Sequence, residues 1–314
     1  MSRIDLTGLR ADLPIGAMAA FGCLRVCQRI ERLRESRLSW ERSTGTFHAV
    51  LWTKAETSRE DLIAELVGDV GTATTRRELQ WSEQIKTASP ETFRLAAGEA
   101  IEQATAHDRE PADWFAAFGS ELALDDGNIR PTPFDMSVAR QKFLADARKL
   151  ANGLSSAVGK SGQDLYAEAL FGPWKYQDDQ HSLGWDPSTM KLGAFTYKAP
   201  TAMATGGVRA AVWLAFESLP LFPCFYAGTL QTRSFRRDGR TVSFCWPVWN
   251  PPLSLSALQT LLGWDAVLNP ASRVDELSAR GVVAIYRSTK FKPNKYLTSF
   301  RPPEILFERA ADAT

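Results

Sequence analysis

The stretch from Leu13 to Thr53, LPIGAMAAFGCLRVCQRIERLRESRLSWERSTGTFHAVLWT, changes its periodicity halfway along and thereby sets the fold class. In its first half Ile15, Met18, Ala19, Leu24, Val26, Cys27 and Ile30 recur among small residues behind Pro14, which a first helical turn tolerates. A helix is expected over 13–33, buried at its start and, through Arg25, Arg29, Arg32 and Arg34, solvated towards its end. In the second half RLSWE and TFHAVLWT alternate apolar and polar residues on either side of Ser43, Thr44 and Gly45, the pattern of a hairpin over 37–53. A helix running straight into antiparallel strands implies a mixed α/β fold of the α+β kind.

The pattern continues outward. A helix from Thr57 or Ser58 to about 68 is followed by helices at 73–86, 90–107 and 110–119, and LDDGNIRPTPFD (124–135) reads as a turn-rich connection. Asp135 or Ser137 is placed to cap a helix to about 152 whose basic side carries Arg140, Lys142, Arg148 and Lys149, with another helix at 161–171. The segment 171–200, rich in Trp, Pro and Gly, suggests irregular structure with a strand at 193–198. TGGVRAAVWLAFESL (205–219) reads as a buried helix, and strands near 224–233 and 241–248 are joined through the RRDG turn. Helices at 254–263 and 272–279 precede an apolar strand, GVVAIYRS, that leads into a basic tail. The expected architecture is helices with several short antiparallel hairpins and a helix-rich acidic middle. It divides into an N-terminal α+β region, 1–130, and a C-terminal α+β region, 131–314, unless the two form one domain.

The chain of 314 residues, 44% apolar and 23% charged, has the composition of a folded protein and not of a disordered or collagenous one. Four cysteines, Cys23, Cys27, Cys224 and Cys245, are too few and too irregular for a disulfide scaffold and read as reduced core residues. The N-terminus mixes acids and arginines around a short apolar run, so neither a signal peptide nor a membrane span is expected, and the expected compartment is the cytoplasm. The net charge of +1 is a cancellation: residues 1–60 carry +3, 61–130 carry −8, 131–200 carry +1 and 201–314 carry +5.

Two dense basic clusters lie in the last region. TRSFRRDGR places Arg233, Arg236, Arg237 and Arg240 around a single Asp238, and YRSTKFKPNKYLTSFR places Arg287, Lys290, Lys292, Lys295 and Arg301 in a stretch without an acid. Phe235, Phe291 and Tyr296 are interleaved with them, so cations for phosphates and rings for unpaired bases occur together, and both clusters are candidate nucleic-acid contacts. The plainer reading is a solvated hairpin tip and a solvated tail.

Other motifs are weaker. GLSSAVGKS (153–161) nearly matches a phosphate-cradling loop, but five residues separate Gly153 from Gly159 where four are needed, and a helix precedes it where the loop requires a strand. Asp178, Asp179, His181 and Asp186 could supply a divalent-cation site for a metal-dependent hydrolase, against the simpler reading of a solvated loop. HExxH, GxSxG and GxGxxG are absent, so zinc proteases, elbow-type serine hydrolases and dinucleotide enzymes lose their usual warrant, and neither catalytic residues nor a cofactor is assigned. A third class is an interaction protein using the acidic helices and the aromatic middle without touching nucleic acid.

Several segments resemble the large-subunit proteins of type I-G (formerly type I-U) CRISPR effector complexes, or Cascade. They are LTGLRADLPIGAMAAFGCLRV (6–26), RLSW (37–40), ALFGPWKY (169–176) with LGWDP (183–187), VRAAVWLAFESLPLFP (208–223), FCWPVWNPPLS (244–254), and GVVAIYRS with the later FRP (300–302). The resemblance extends over most of the chain and rests on scaffold segments, not on a catalytic motif. It implies a non-enzymatic subunit that helps recognise the motif flanking a target, steadies opened DNA and presents a surface to the helicase-nuclease. The implied partners are other CRISPR effector subunits, a guide RNA and target double-stranded DNA. The chain departs from larger relatives in lacking a clear C-terminal helical bundle, which puts in doubt any role of such a bundle in holding the displaced strand. No residue role is carried over from the family; Arg233, Arg236, Arg237, Arg240, Arg287, Lys290, Lys292 and Lys295 are proposed from charge and aromatic spacing alone.

Overall fold

A computed structural model describes residues 1–43, 45–81, 84–105, 108–138, 141–155, 160–178, 182–189, 206–294 and 297–309. The first half runs β1 (Ser2–Arg10), α1 (Pro14–Arg29), β2 (Arg37–Ser43), β3 (Thr46–Thr53), α2 (Arg59–Ala73), α3 (Arg77–Gln80), α4 (Pro90–Gln103), α5 (Glu110–Phe118), β4 (Gly119–Asp125) and β5 (Asn128–Pro131). The second runs α6 (Phe143–Ser155), α7 (Gly162–Phe171), α8 (Arg209–Glu217), β6 (Cys224–Tyr226), β7 (Leu230–Thr232), β8 (Phe235–Asp238), β9 (Thr241–Trp249), α9 (Leu255–Leu262), α10 (Val274–Ala279), β10 (Val282–Asn294), β11 (Leu297–Phe300) and β12 (Glu304–Glu308). The fold is the expected mixture of helices with small antiparallel sheets. No helix among the described residues is long and apolar enough to cross a membrane.

Two helices form the centre. Every residue of α1 from Pro14 to Cys27 is buried, as is every residue of α8 from Ala210 to Glu217. The small residues that blur the amphipathic pattern of α1 are what allow this: a Cβ on Gly22 would stand 1.7 Å from the Leu214 carbonyl oxygen, so only glycine lets the two backbones approach so closely. α1 also touches a three-stranded sheet of order β1-β3-β2, while α6 and α7 cover α8. The second large sheet has the order β11-β10-β9-β8, with β12 also on β10, and all its pairs are antiparallel. Phe21 of α1, Trp40 of β2 and Trp249 of β9 meet as a three-ring cluster with centroids 5.9–6.3 Å apart. The indole N–H groups of Trp246 and Trp249 donate to the Ala11 and Leu38 carbonyls at 2.8 and 2.9 Å, which fixes one sheet to the other. The main apolar cluster draws residues from Ile4 to Phe300, on both sides of residue 130.

Buried charge locks the helices together. The Glu217 side chain, fully buried at the end of α8, accepts from Arg25 at 3.1 Å, Arg29 at 2.9 Å and Arg76 at 2.6 Å. Asp69 binds Arg29 and Arg76, each at 2.8 Å, and Glu110 binds Arg25 and Arg29 at 2.5 and 3.0 Å. Three guanidiniums face three carboxylates, and α1, α2, α5 and α8 are joined through them. Burial pushes the Glu217 carboxyl up, but Arg29, Arg76 and Arg25 together overcome it and hold the group well below the usual carboxylate range. Arg25 and Arg29 are therefore not the solvated face expected from the sequence; Arg32 and Arg34 are. The same network breaks the helix expected at 73–86. Arg76 takes an extended backbone to place its guanidinium on Asp69 and Glu217, leaving the short α3 and a 3₁₀ turn at Ile85–Thr87.

Other expectations shift at turns. The supposed connection 124–135 is the β4–β5 hairpin, because Asp126 and Gly127 both have positive φ, as a two-residue type I′ loop requires. The strand expected over 224–233 folds back on itself as β6 and β7 around Gly228, φ +73°. Asp135 caps no helix: its carboxylate accepts from the Ser137 amide at 2.8 Å, and α6 begins at Phe143. Ser58 and Asp61, by contrast, form a full capping box on α2. The strand expected at 193–198 and Arg140 lie outside the described residues.

Gly22→Ala is expected to destabilise the protein severely, whereas Gly68→Ala, in the exposed middle of α2 with open space around it, should stabilise it by about 0.5–1 kcal/mol. Urea denaturation of the two variants checks the contrast. Glu217→Gln leaves three buried arginines to two carboxylates, and a loss of about 3–5 kcal/mol is expected from the same measurement.

Candidate nucleic-acid interface

The basic segments are distant in sequence but adjacent in the second sheet. β8 and β9 turn through Gly239 and Arg240, with Gly239 at φ +59°, the geometry of a two-residue loop with glycine first. β9 pairs with β10 so that Ser243 faces Thr289 and Phe244 faces Ser288, which carries the end of β10 past the β8–β9 tip. The basic tail expected after 288 is thus the β10–β11 hairpin, in which Lys290 faces Phe300. The tip arginines and the lysines of β10 share one end of one sheet.

Their surroundings sort them into two groups. Four are committed to the fold. Arg233 is half-buried against the C-terminal end of α9, near Gly263, and donates to the Leu221 carbonyl at 3.4 Å; burial lowers its proton affinity. Arg236 pairs with Asp238 at 2.9 Å and reaches the Leu268 carbonyl at 3.4 Å. Arg287 pairs with Glu304 of β12 at 3.0 Å. Lys290 donates to the Pro133 and Asp135 carbonyls at 2.8 and 3.3 Å, holding the segment after β5 against the sheet. Burial pushes the Lys290 ammonium down to about 8, against the opposing pull of the Asp135 carboxylate.

Arg237, Arg240 and Lys292 are exposed and have no ion-pair partner among the described residues. Lys295, also chosen from the sequence, lies outside the described residues, as does Tyr296. The aromatic half of the expectation changes. Phe235 is 7% exposed and packs with Phe134, Phe244 and Phe300, so it presents no face for a base, while Phe291 lies under the Arg301 guanidinium at 4.8 Å. What the sheet end offers chemically is exposed positive charge at and beside a hairpin tip, suited to phosphate oxygens or a groove edge.

The other motifs take structural roles where they are described. Asp178 pairs with Arg209 at 2.7 Å, which occupies one expected metal ligand. Asp186 is 1% exposed and accepts from the Ser188 amide at 2.8 Å, and burial pushes its carboxyl up. Asp179 and His181 lie outside the described residues; among the described residues no three His, Cys, Asp or Glu side chains are gathered for a metal ion. The near phosphate loop starts in the last turn of α6 and ends at Ser161, whose hydroxyl accepts from the Asp164 amide as the N-cap of α7. A helix, not a strand, precedes it.

The carboxylates that neutralise two of the eight, Asp238 and Glu304, are separated from their arginines by two and seventeen residues, so only the first was open to local reading. Compared with family models, curated proteins and solved structures, the chain matches none.

Because the folded protein binds the Lys290 proton less tightly than the unfolded chain, this residue contributes stability that rises with pH between about 8 and the 10.5 of an unburied lysine. Lys290→Met should remove that rise, and the difference between wild-type and variant urea midpoints across this interval measures it.

Proposed function

We propose that this chain is a non-catalytic, DNA-contacting subunit of an RNA-guided type I CRISPR surveillance complex, acting in the cytoplasm. In this reading it contacts the duplex beside the target-flanking motif, steadies opened DNA and helps recruit the helicase-nuclease, while guide RNA held by the other subunits reads the sequence. The assignment to the complex rests on the resemblance of the scaffold segments. The nucleic-acid role is carried by one observation: Arg237, Arg240 and Lys292 stand exposed at one end of the second sheet, with no ion-pair partner among the described residues.

The geometry supports a division of labour among these side chains. Arg240 occupies the two-residue loop itself, where a guanidinium can enter a groove; bidentate pairing with guanine supplies about 1–3 kcal/mol of discrimination. Arg237 and Lys292, on the flanking strands, suit backbone phosphates. The metal-dependent hydrolase finds less support, since Asp178 is already bound to Arg209.

Two measurements test the reading. Tagged protein co-expressed with its neighbouring genes should recover other subunits and a guide RNA, and purification of the chain alone, free of RNA, refutes the complex assignment. In duplex titrations at two salt concentrations, the triple variant Arg237→Ser, Arg240→Ser, Lys292→Ser should reduce the salt slope by roughly 2–3, at about 0.9 per phosphate contact. An unchanged slope refutes the interface.

A further inference from the structure

Arg301 belongs to the basic tail segment but takes no part in the contacts proposed above. It follows β11, is exposed, and has neither an ion pair nor a side-chain hydrogen bond among the described residues. Its guanidinium stands over the Phe291 ring, 4.8 Å from the centroid, within the reach of a cation–π contact. Its backbone is fixed: the amide donates to the Thr289 carbonyl at 2.9 Å, the carbonyl accepts from the Ser288 hydroxyl, and Pro302 and Pro303 follow. A group held in this way loses little freedom when a ligand covers it.

Other guanidiniums that lie on rings are already engaged. Arg3, Arg25, Arg42 and Arg280 each hold a carboxylate as well, and Arg59 opens α2 beside Glu60 and Asp61. Around Arg301, by contrast, the carboxylates of the second sheet are taken up by other arginines: Asp238 pairs with Arg236 at 2.9 Å and Glu304 with Arg287 at 3.0 Å. Arg301 therefore keeps both its N–H fork and the outer side of its plane for a ligand.

Strand register places this stack beside the hairpin tip. Ser243 faces Thr289 across β9 and β10, and their hydroxyls meet at 3.1 Å. Two residues farther along each strand lie Thr241, next to Arg240, and Phe291, on the same side of β10 as Thr289. The Phe291–Arg301 stack thus adjoins the turn that carries Arg240. Guanidinium planes and aromatic rings are surfaces on which unpaired bases stack, and cations beside them hold the phosphates. In a duplex the base faces are covered by their neighbours, so a platform of this kind takes a base only from an opened strand.

We propose that Arg301, backed by Phe291, seats one unpaired base of an opened DNA strand at the edge of the cluster formed by Arg237, Arg240 and Lys292. This rests on the nucleic-acid contact proposed above and names the form of DNA, single-stranded, that this end of the sheet takes. Every base has a π-face, so the seat holds a strand without reading its sequence.

The test is titration of the full chain at low salt with a short oligothymidylate and with the same oligomer made abasic, which offers phosphates without rings. Two variants are compared with wild type: Arg301→Lys keeps the charge and removes the plane, and Phe291→Leu keeps apolar bulk and removes the ring. Arg301→Lys alters an exposed side chain, so its result stands if Phe291→Leu folds poorly. Wild type should bind the intact oligomer about tenfold more tightly than the abasic one, as stacking of a single base provides, and each variant should lose that preference with the salt slope unchanged. Equal affinity of wild type for the two oligomers, or a preference that Arg301→Lys leaves intact, overturns the seat. The phosphate contact survives that outcome if affinity still falls with salt and with the triple variant. No binding of any oligomer or duplex overturns both.

Discussion

Glu217 is the point on which the packing turns. It ends α8, buried from Ala210 onward, and a lone carboxylate at such a place is tolerated only with cations brought to it. Arg25 and Arg29 come from α1, already pressed onto α8 by the glycine contact at Gly22, and Arg76 comes from the segment between α2 and α3. Each guanidinium then needs a further carboxylate, which Asp69 and Glu110 supply. The chain of compensation fixes four helices in one arrangement. It also explains why the acidic middle attaches where it does: α5 carries both Glu110, which joins the network, and Trp114, under the Arg25 guanidinium at 5.2 Å.

The second sheet depends on that core from the other side. Trp249 and Trp246 meet Phe21, Leu38 and Ala11, so the strands that carry the basic end are fastened to the α1 region at their far end. Their opposite end carries the β8–β9 turn and the exposed end of β10. Rigid attachment at one end and charge at the other is a geometry that positions cations without burying them. Lys290 marks the boundary between the two regimes: one rung inside, its ammonium is bound by carbonyls and its proton is loosened; further out, Lys292 is solvated.

Local signals in the sequence were sufficient for most helices and for the hairpins flanked by clear turns. Ser58, Ser161 and Ser254 cap α2, α7 and α9, helices expected to start close to these positions, and the alternation in 37–53 becomes β2 and β3. What stayed illegible was set by long-range contacts. β1 has the alternation Ile4, Asp5, Leu6, Thr7 but is defined by its pairing with β3, more than forty residues on. The arginines of α1 look like a solvated face until Glu217 is placed beside them, although a single acid in AAVWLAFESL is itself a signal that buried cations must come from somewhere. The basic clusters were legible as charge but not as geometry, because Arg287 is neutralised by Glu304 across β12 and Phe235 is drawn into the aromatic core.

That sorting bears on how much the basic end can do alone. Eight cations were counted from the sequence; four are spent on carbonyls, carboxylates or a helix end, and three of the remainder stand free among the described residues. Three phosphate contacts give a salt slope near 2.7, at about 0.9 each, well short of proteins that grip DNA through six to ten. A chain of net charge +1 with so small a free cluster is poorly suited to find DNA unaided. It is well suited to a position where guide pairing and neighbouring subunits supply most of the affinity, and where a few cations on a rigid hairpin decide orientation. The proposed function follows that balance: in that reading the three free cations orient contacts on DNA already held, and their small number fits work inside an assembly.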